Sequence, residues 1–268
     1  MKFYKRIISV ILLLLIITGS ICIALTFIDY YSYAEEKGIE YERKHQSDTL
    51  KVIFIGDSWA AYHSKYDSQL EAILKSKRSI PITVVSKGYV GAKTKAIYVN
   101  LSDSNSELNL LIDLSPHYAI ISAGINDAVA KIGTKNYLYH YSLIIKYLLS
   151  AGIKPIIIDM PQVDYKAVYQ RETAIDKIRH QFSSWVTDSP LWDFEAYRNG
   201  LKNMIHNNEF NGQCIYIPSS EWNRKGYLDS RQLYLEDHIH LNKKGYHLLD
   251  SCLAEHIYDD ILSIHDFQ

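Results

Sequence analysis

From residue 50 onward, short apolar runs alternate with longer stretches in which apolar positions recur at helical spacing. The short runs predict five strands, at Lys51–Ile55, Ile82–Val85, Tyr118–Ser122, Ile156–Ile158 and Cys214–Ile217. Because the runs are nearly continuous in apolar residues, they are typical of strands that are buried on both faces. Buried strands that alternate with amphipathic helices predict an α/β domain with a parallel sheet covered by helices on both sides.

Apolar stripes between the runs predict the covering helices. They lie at Leu70–Leu74, Leu108–Ile112, Leu138–Leu148, Ala174–Trp185 and Leu248–Ile257. A different pattern occupies the region around 190–236, which mixes Asn, Gly, aromatic and charged residues without a clear period. We interpret that region as a largely irregular insertion, a candidate lid or substrate wall.

The N-terminus carries a separate apolar pattern. Lys2, Lys5 and Arg6 precede Ile7–Ile28, which contains no charged residue. A run of this length is sufficient to cross a bilayer, which takes about 20 apolar residues. The basic cluster predicts a cytoplasmic N-terminus and a catalytic domain outside the membrane, at the cell surface or in the periplasm. The predicted layout is an anchor at 1–29, a polar stalk at 30–49 and one domain at 50–268.

A cleaved signal peptide is the alternative interpretation of this segment, since Gly19 and Ser20 are small residues. The apolar run exceeds the roughly 7–15 residues of a usual signal-peptide core, which favours an uncleaved anchor. Cys22 follows Ile21, and the absence of a small residue there argues against lipoprotein-type cleavage.

Composition restricts the function classes further. With 268 residues and 47% hydrophobic composition, the chain can form one α/β domain and an anchor. Its formal net charge of -1 gives no reason to expect a nucleic-acid partner. The 22 tyrosines suit half-buried surfaces or, alternatively, platforms for sugar rings. Cys214 and Cys252 could pair in an exported domain, although two separate buried thiols are the favoured interpretation.

Three short polar motifs begin where predicted strands end. Ser58 follows the first strand, Gly88–Gly91 the second, and Gly124–Asn126 the third. In a parallel sheet the C-terminal ends of the strands open into one crevice, so these motifs are expected to meet. Ser58 is the candidate nucleophile, and a serine hydroxyl needs a neighbouring base to become reactive.

His240 is the preferred base, with Asp237 three residues earlier orienting its other ring nitrogen. Asn242 is the predicted N-cap of the last helix and would fix the loop that carries this pair. His238 and His63 are rival bases, but His238 adjoins Asp237 and adjacent side chains usually point apart. Taken alone, any one histidine is more often structural, and the pairing with the candidate nucleophile favours catalysis.

Acyl transfer also needs hydrogen-bond donors for the oxyanion. The candidates are the backbone N–H of Ser58, the backbone N–H of Gly91 and the side-chain amide of Asn126. A residue without Cβ allows substrate to approach the backbone closely, which suits Gly91. In isolation, however, Gly91 would be an ordinary turn glycine and Asn126 an ordinary turn residue.

These motifs together resemble the SGNH (GDSL-type) hydrolase family over about residues 50–258. The matching stretches are Phe54–Ser58, Ser86–Gly91, Ala123–Asp127 and Asp237–His240. The resemblance implies a three-layer α/β/α sandwich with a mainly parallel, flavodoxin-like sheet of five strands. It also implies that Ser58, His240 and Asp237 act as the triad, and that Gly91 rather than Gly88 joins Asn126 in the oxyanion hole.

The chain departs from the family pattern near the nucleophile. Trp59 stands where Leu is frequent, and Ser86 and Lys87 stand where an Asn is common. Trp59 and Tyr89 would flank the nucleophile and narrow the acyl pocket, which favours a small acyl group such as acetyl. Further aromatic residues could stack on sugars or pack within the core or a lid: Trp192, Trp222, Tyr227 and Tyr234.

Other catalytic signatures are missing from the sequence, including the zinc-binding H-E-x-x-H and the phosphate-binding P-loop, so we predict no metal and no cofactor. The predicted function is a membrane-anchored serine esterase that hydrolyses small acyl esters, O-acetyl above all, on cell-surface carbohydrate, with lipid and thioester substrates as open alternatives. One alternative is an O-acyltransferase that acts on glycans with the same triad. The other is a non-catalytic glycan-binding scaffold, which predicts the loss of a triad or oxyanion residue.

Overall fold

The computed structural model describes residues 2–38, 49–66, 68–77, 80–161, 163, 165–187, 189, 191, 194–207, 210–223 and 231–265. Its five strands are β1 Leu50–Gly56, β2 Ile82–Gly88, β3 Tyr118–Ser122, β4 Lys154–Ile158 and β5 Ile215–Ile217. They form one parallel sheet in the order β2-β1-β3-β4-β5, which confirms the predicted flavodoxin-like architecture. The chain direction across the sheet switches at β1, where folds of this type open their ligand crevice.

Helices cover both faces of the sheet. Their bounds are α1 Lys2–Tyr31, α2 Ser58–His63, α3 Leu70–Lys77, α4 Thr94–Leu101, α5 Glu107–Ile112, α6 Ile125–Val129, α7 Thr134–Ser150, α8 Tyr165–Arg171, α9 Ala174–Thr187, α10 Glu195–Asn207, α11 Ser219–Trp222 and α12 Lys243–His265. A short 3-10 turn spans Arg231–Leu233. Helices α4, α7 and α10 pack together, and α3 packs with α12. Right-handed crossovers place these two groups on opposite faces of the sheet.

The central strands are buried because both of their faces are covered. Every residue of β3 is buried, and in β1 only Lys51 is partly accessible. This burial explains why the sequence of these strands shows no alternation of polar and apolar positions. Each fully buried Ile or Phe side chain contributes about 1.5–3 kcal/mol to stability.

The described part of the region predicted as a largely irregular insertion holds strand β5 and helices α10 and α11, and the longest of these elements is α10. Its buried face includes Tyr197, Leu201 and Ile205. Arg198 interrupts the apolar stripe in the sequence, yet it is also buried and donates hydrogen bonds to the carbonyls of Met160 and Pro161. Residues 192–193, 208–209 and 224–230, with the aromatic candidates Trp192 and Tyr227, lie outside the described residues.

The apolar N-terminal segment forms the predicted long helix. Its span Phe3–Ile28 has a mean hydropathy of 2.9 and is long enough to cross a membrane, a test that a signal sequence also passes. After α1, residues 32–38 lie against α4 and α7. Residues 39–48 of the predicted stalk lie outside the described residues. Anchoring therefore stays a prediction at this point.

Candidate active site

Ser58 is the first residue of α2, directly after β1. The turn between the two elements requires Gly56, whose φ is +145° and whose Cβ would lie 2.0 Å from the carbonyl oxygen of Ser122. Asp57 then caps α2 by accepting a hydrogen bond from the backbone N–H of Trp59, at 3.0 Å. The strand and the cap together hold Ser58 at the C-terminal edge of the sheet.

The structure brings together the three residues of the candidate triad: Ser58, His240 and Asp237. His240 Nε2 lies 2.8 Å from Ser58 Oγ, and His240 Nδ1 lies 2.6 Å from Asp237 Oδ2. Both distances are within hydrogen-bond reach, as a nucleophile, its base and an orienting acid require. The side chain of His240 retains 17% exposure, so the base is partly open to solvent.

The loop that carries His240 is fixed by its own hydrogen bonds. Asp237 Oδ1 accepts the backbone N–H groups of Ile239 and His240, both at 2.9 Å. Burial raises the pKa of Asp237, but the bonds from the His240 ring and from these two N–H groups outweigh it and leave that pKa below its usual value. His238 takes the left-handed turn, with φ +63°, and Asn242 caps α12 by accepting the Gly245 N–H at 3.1 Å.

The rival base His63 belongs to another hydrogen-bonded group, which we call the buried histidine cluster (His63, Ser86 and Asp250). His63 Nδ1 lies 2.6 Å from Ser86 Oγ, and His63 Nε2 lies 2.7 Å from Asp250 Oδ1. The ring of His63 is completely buried against Phe54 of β1. This cluster joins α2 to β2 and α12, which is a structural role.

Of the predicted oxyanion residues, Gly91 lies in the turn after β2, and Asn126 lies in the first turn of α6, after β3. Gly91 has φ +78°, and the space where its Cβ would lie is open. Asn126 Nδ2 donates to the carbonyl of Ala92 at 3.0 Å, so its amide holds the chain next to Gly91. Gly88, in contrast, packs against α2, where a Cβ would lie 2.1 Å from the carbonyl oxygen of Asp57. The oxyanion role of Gly91 stays a prediction.

Two carboxyl groups are buried beside these loops. Asp127 accepts hydrogen bonds from Thr94 N and from Thr94 Oγ1, the latter at 2.6 Å, and so ties α6 to the start of α4. Asp57 accepts a bond from Ser122 Oγ at 3.1 Å. Burial raises the pKa of Asp57 to about 7 and that of Asp127 to about 6.

The predicted substrate aromatics occupy different environments. Trp59 and Trp222 are both buried and pack edge to face, with ring centroids 5.7 Å apart. Trp59 Nε1 donates to the carbonyl of Ile239 at 3.2 Å and so supports the His240 loop from below. Tyr89 is half-buried in the turn before Gly91. Substrate binding by these three residues stays a prediction.

Tyr62 is a site residue that sequence reasoning missed. Its ring centroid lies 4.8 Å from that of His240. It stands four residues after Ser58 on α2, which is the spacing of neighbours on one helix face. The spacing was available in the sequence, but α2 has only six residues and no apolar stripe that would have predicted a helix.

Among the described residues, one group of side chains has ligand atoms close enough to hold a metal: Glu221, Cys252 and His256, within 4.8 Å of one another. His256 Nε2 already lies 2.5 Å from Glu221 Oε2, so a hydrogen bond between them accounts for two of the three. The group shares no residue with the candidate triad. Cys22, Cys214 and Cys252 form no disulfide, and burial raises the pKa of Cys214 to about 12.

The fold and the site define a serine hydrolase with a parallel α/β sheet, in which a serine at the end of the first strand meets a histidine from the C-terminal loop. The sequence profile of the GDSL-like lipase/acylhydrolase family matches residues 54–248, and the chain belongs to this family. The predicted SGNH resemblance and the predicted class of serine ester hydrolase are thereby confirmed.

Solved structures support the same fold. The acetyl xylan esterase AlAXEase is 16% identical, with a TM-score of 0.54 over 78% of this chain and 100% of its own. A GDSL-like lipase from Parabacteroides merdae ATCC 43184 is also 16% identical, with a TM-score of 0.54 over 78% of this chain and 95% of its own. No curated protein matches the chain. Identities this low support a shared fold and do not identify the substrate of this chain.

Proposed function

We propose that the protein is a membrane-anchored serine esterase that removes small acyl groups, O-acetyl above all, from cell-surface carbohydrate. The observation that carries the proposal is the position of His240, whose two ring nitrogens contact Ser58 Oγ and Asp237 Oδ2. A histidine between a hydroxyl and a carboxylate can accept the hydroxyl proton while the carboxylate stabilises the imidazolium.

In the acylation half of the reaction, Ser58 Oγ attacks the ester carbonyl and its proton passes to His240 Nε2. The carbonyl oxygen becomes an oxyanion, for which the donors are the N–H groups of Ser58 and Gly91 and the amide of Asn126. The C–O bond to the alcohol then breaks, and His240 Nε2 returns its proton to the leaving oxygen. The products of this half are the free alcohol and an acyl ester on Ser58.

In the second half, water attacks the acyl carbonyl and gives a proton to His240 Nε2. The bond to Ser58 Oγ breaks, and the proton on His240 returns to that oxygen. Asp237 keeps its charge throughout, since its three hydrogen bonds hold its pKa low. The net reaction consumes one water molecule and yields a carboxylic acid and an alcohol.

Two features support the small acyl group and the anchor. Trp59 follows the nucleophile directly and packs against Trp222, and two bulky rings at this position favour a small acyl group. The C-terminal part of α1 is in contact with the domain, where Thr26 Oγ1 lies 2.9 Å from Ser183 Oγ in a buried position. Cleavage after Thr26 would remove this contact, whereas cleavage near Gly19 or Ser20 would leave it, so the contact favours retention of the C-terminal part of α1.

The experiment is p-nitrophenyl acetate hydrolysis by the full chain in detergent, beside Ser58→Ala and His240→Ala. We expect each variant to lose about 10⁴-fold or more in kcat, the order found when a nucleophile or base of this kind is removed. The matched control is Ser86→Ala. Ser86 also contacts a histidine ring, at 2.6 Å, but in the buried histidine cluster, so this variant should keep its activity.

Full activity in Ser58→Ala would refute the mechanism. Loss of activity in Ser86→Ala with the fold intact would indicate that the wrong serine has been chosen. If the wild type forms an acyl-enzyme but transfers the acyl group only to an added glycan, the protein is an acyltransferase with the same triad.

A further inference from the structure

The segment after α1 determines the edge of the domain from which α1 leaves. In this fold α4 and α7 begin at the edge where the strands end, which is also the edge that holds Ser58. Asn136, in the first turn of α7, donates to the carbonyl of Tyr30 at 2.8 Å. Seven residues later, Lys37 Nζ donates to the carbonyl of Ser102, at the far end of α4. Helix α1 therefore leaves from the active-site edge, and the following chain runs away from it.

Helix α9 runs beside the C-terminal part of α1 and parallel to it. Thr26 of α1 meets Ser183 of α9. One turn later on both helices, the Tyr30 ring and Thr187 both lie against Gly133. Because the contacts advance by four residues in the same direction, the first turn of α9 points toward the N-terminal part of α1.

The contacting face of α1 is made of small residues. Gly19, Cys22 and Thr26 are its less exposed positions, and the residues between them are exposed. Small side chains allow two helices to approach closely. The same spacing places Gly19 at the level of Asp176, so α9 accompanies α1 over about three turns.

A second face of α9 is apolar and exposed. Ile175 is 69%, Ile178 47% and Trp185 67% exposed. Phe182 lies between them on the same stripe, and its ring contacts that of Trp185 at 5.4 Å. Large apolar side chains that are this exposed on one helix face are typical of a surface that contacts a membrane or another protein. We call these four residues the α9 apolar stripe.

Helix lengths place this stripe at the level of a membrane surface. The uncharged run begins at Ile7, and from Ile7 to Thr18 α1 has no contact face toward α9; these residues span about 18 Å at about 1.5 Å per residue. A hydrocarbon core of about 30 Å would extend about 12 Å further, to the level of Thr26, a length that includes Ile175, Ile178 and Phe182. Interfacial apolar helices bury their apolar faces by about 5–10 Å. Trp185 lies about 10 Å beyond Ile178 along α9, toward the headgroups, where Trp is enriched.

From these contacts we infer that the α9 apolar stripe rests in the outer surface of the bilayer and holds the active-site edge of the domain toward the membrane. The substrate is then a small acyl ester on a molecule anchored in the same bilayer, rather than one free in solution. This inference rests on the proposed esterase function and narrows its substrate class. The occupant of the stripe is lipid, because the stripe lies beside a helix that is itself long and apolar enough to span a bilayer.

The first test measures membrane contact without using activity. Full-length protein carrying Ile178→Cys is labelled with an environment-sensitive fluorophore and placed in phosphatidylcholine nanodiscs that contain headgroup spin-labelled lipid. The control site is Leu110→Cys on α5, which is similarly exposed but packs near α4 and β2. Strong quenching at position 178 and little at 110 is expected. Equal quenching at the two sites would overturn the inference, whatever the enzyme does.

The second test compares two substrates in the same vesicles. Ile175→Lys combined with Ile178→Lys should lower hydrolysis of a membrane-embedded acetyl diglyceride at least tenfold and change p-nitrophenyl acetate hydrolysis less than twofold. Leu110→Lys should change neither rate. An unchanged rate on the embedded ester, or an equal fall on both substrates, would overturn the inference. A wild type that hydrolyses neither ester would instead contradict the proposed function, and the quenching result would still stand.

Discussion

Asp57 provides the sharpest test of the electrostatics beside the nucleophile. It is 2% exposed, and burial raises its pKa from 3.8 to about 7. At about 1.4 kcal/mol per pKa unit, that difference corresponds to about 4 kcal/mol between its protonated and ionised forms. Asp57→Asn replaces the carboxyl group with a neutral group of the same shape. The Asn oxygen can still accept the bonds from Trp59 N and Ser122 Oγ.

The direction in which folding stability changes with pH follows from the number of protons that the folded and unfolded chains bind. Between about pH 4 and pH 7 the unfolded chain has lost the Asp57 proton while the folded chain keeps it, so folding stability falls as pH rises through this range. The stability contribution is complete below pH 4 and lost above pH 7. Relative to wild type, Asp57→Asn should therefore gain up to about 4 kcal/mol in unfolding free energy between pH 4 and pH 8.

The assay is urea unfolding of the full chain in detergent, followed by circular dichroism at several pH values between 4.5 and 8. Asp127→Asn is the companion variant, because burial raises the pKa of Asp127 to about 6. Asp127→Asn should remove a smaller pH dependence of the unfolding free energy, about 3 kcal/mol in total, which ends near pH 6. Parallel stability curves for wild type and Asp57→Asn would show that Asp57 ionises normally and would refute the argument from burial.

Two further substitutions test the packing around the site. Trp59→Phe removes the indole donor to the carbonyl of Ile239, so the free energy of unfolding, measured by denaturation, should fall by about 1–3 kcal/mol. In steady-state kinetics, kcat should fall by a larger factor than KM changes. An unchanged kcat would contradict a positioning role for Trp59. Gly88→Ala would place a Cβ 2.1 Å from the carbonyl oxygen of Asp57 and should lower the free energy of unfolding by about 3 kcal/mol. In Gly91→Ala the new Cβ meets open space, so only the positive φ matters, and the free energy of unfolding should fall by about 1–2 kcal/mol. Melting temperatures in the reverse order would show that the backbone at Gly88 relaxes freely.

The buried strands could be predicted because burial on both faces requires nearly every residue of the strand to be apolar. Strand β3 ends where the sequence predicts, at Tyr118 and Ser122, since a strand covered on both faces is apolar throughout. Helix α7 could be predicted for a related reason, because its nine buried positions recur at helical spacing.

The elements that the sequence does not reveal are short or contain buried polar groups. Helices α2 and α6 have six and five residues, too few for a periodic stripe, and they begin at Ser58 and Ile125 because the preceding strands end there. In α10, Arg198 occupies the buried face because two backbone carbonyls accept its hydrogen bonds. Such partners come from distant parts of the chain, and a local pattern contains no information about them.

A hydrogen-bond pattern alone does not distinguish the candidate catalytic histidine, because the described residues include two Ser–His–Asp sets with nearly equal distances. The candidate triad and the buried histidine cluster both place a histidine between a serine and an aspartate. They differ in access, since His63 is completely buried while the side chain of His240 keeps 17% exposure. The two sets also differ in possible donors to an oxyanion. Ser58 begins a helix at the C-terminal edge of the sheet, the edge that also carries Gly91 and Asn126, whereas Ser86 lies within β2. A nucleophile is defined by a carbonyl that can reach it and by donors for the oxyanion that results, and both depend on the fold rather than on the spacing of three residues.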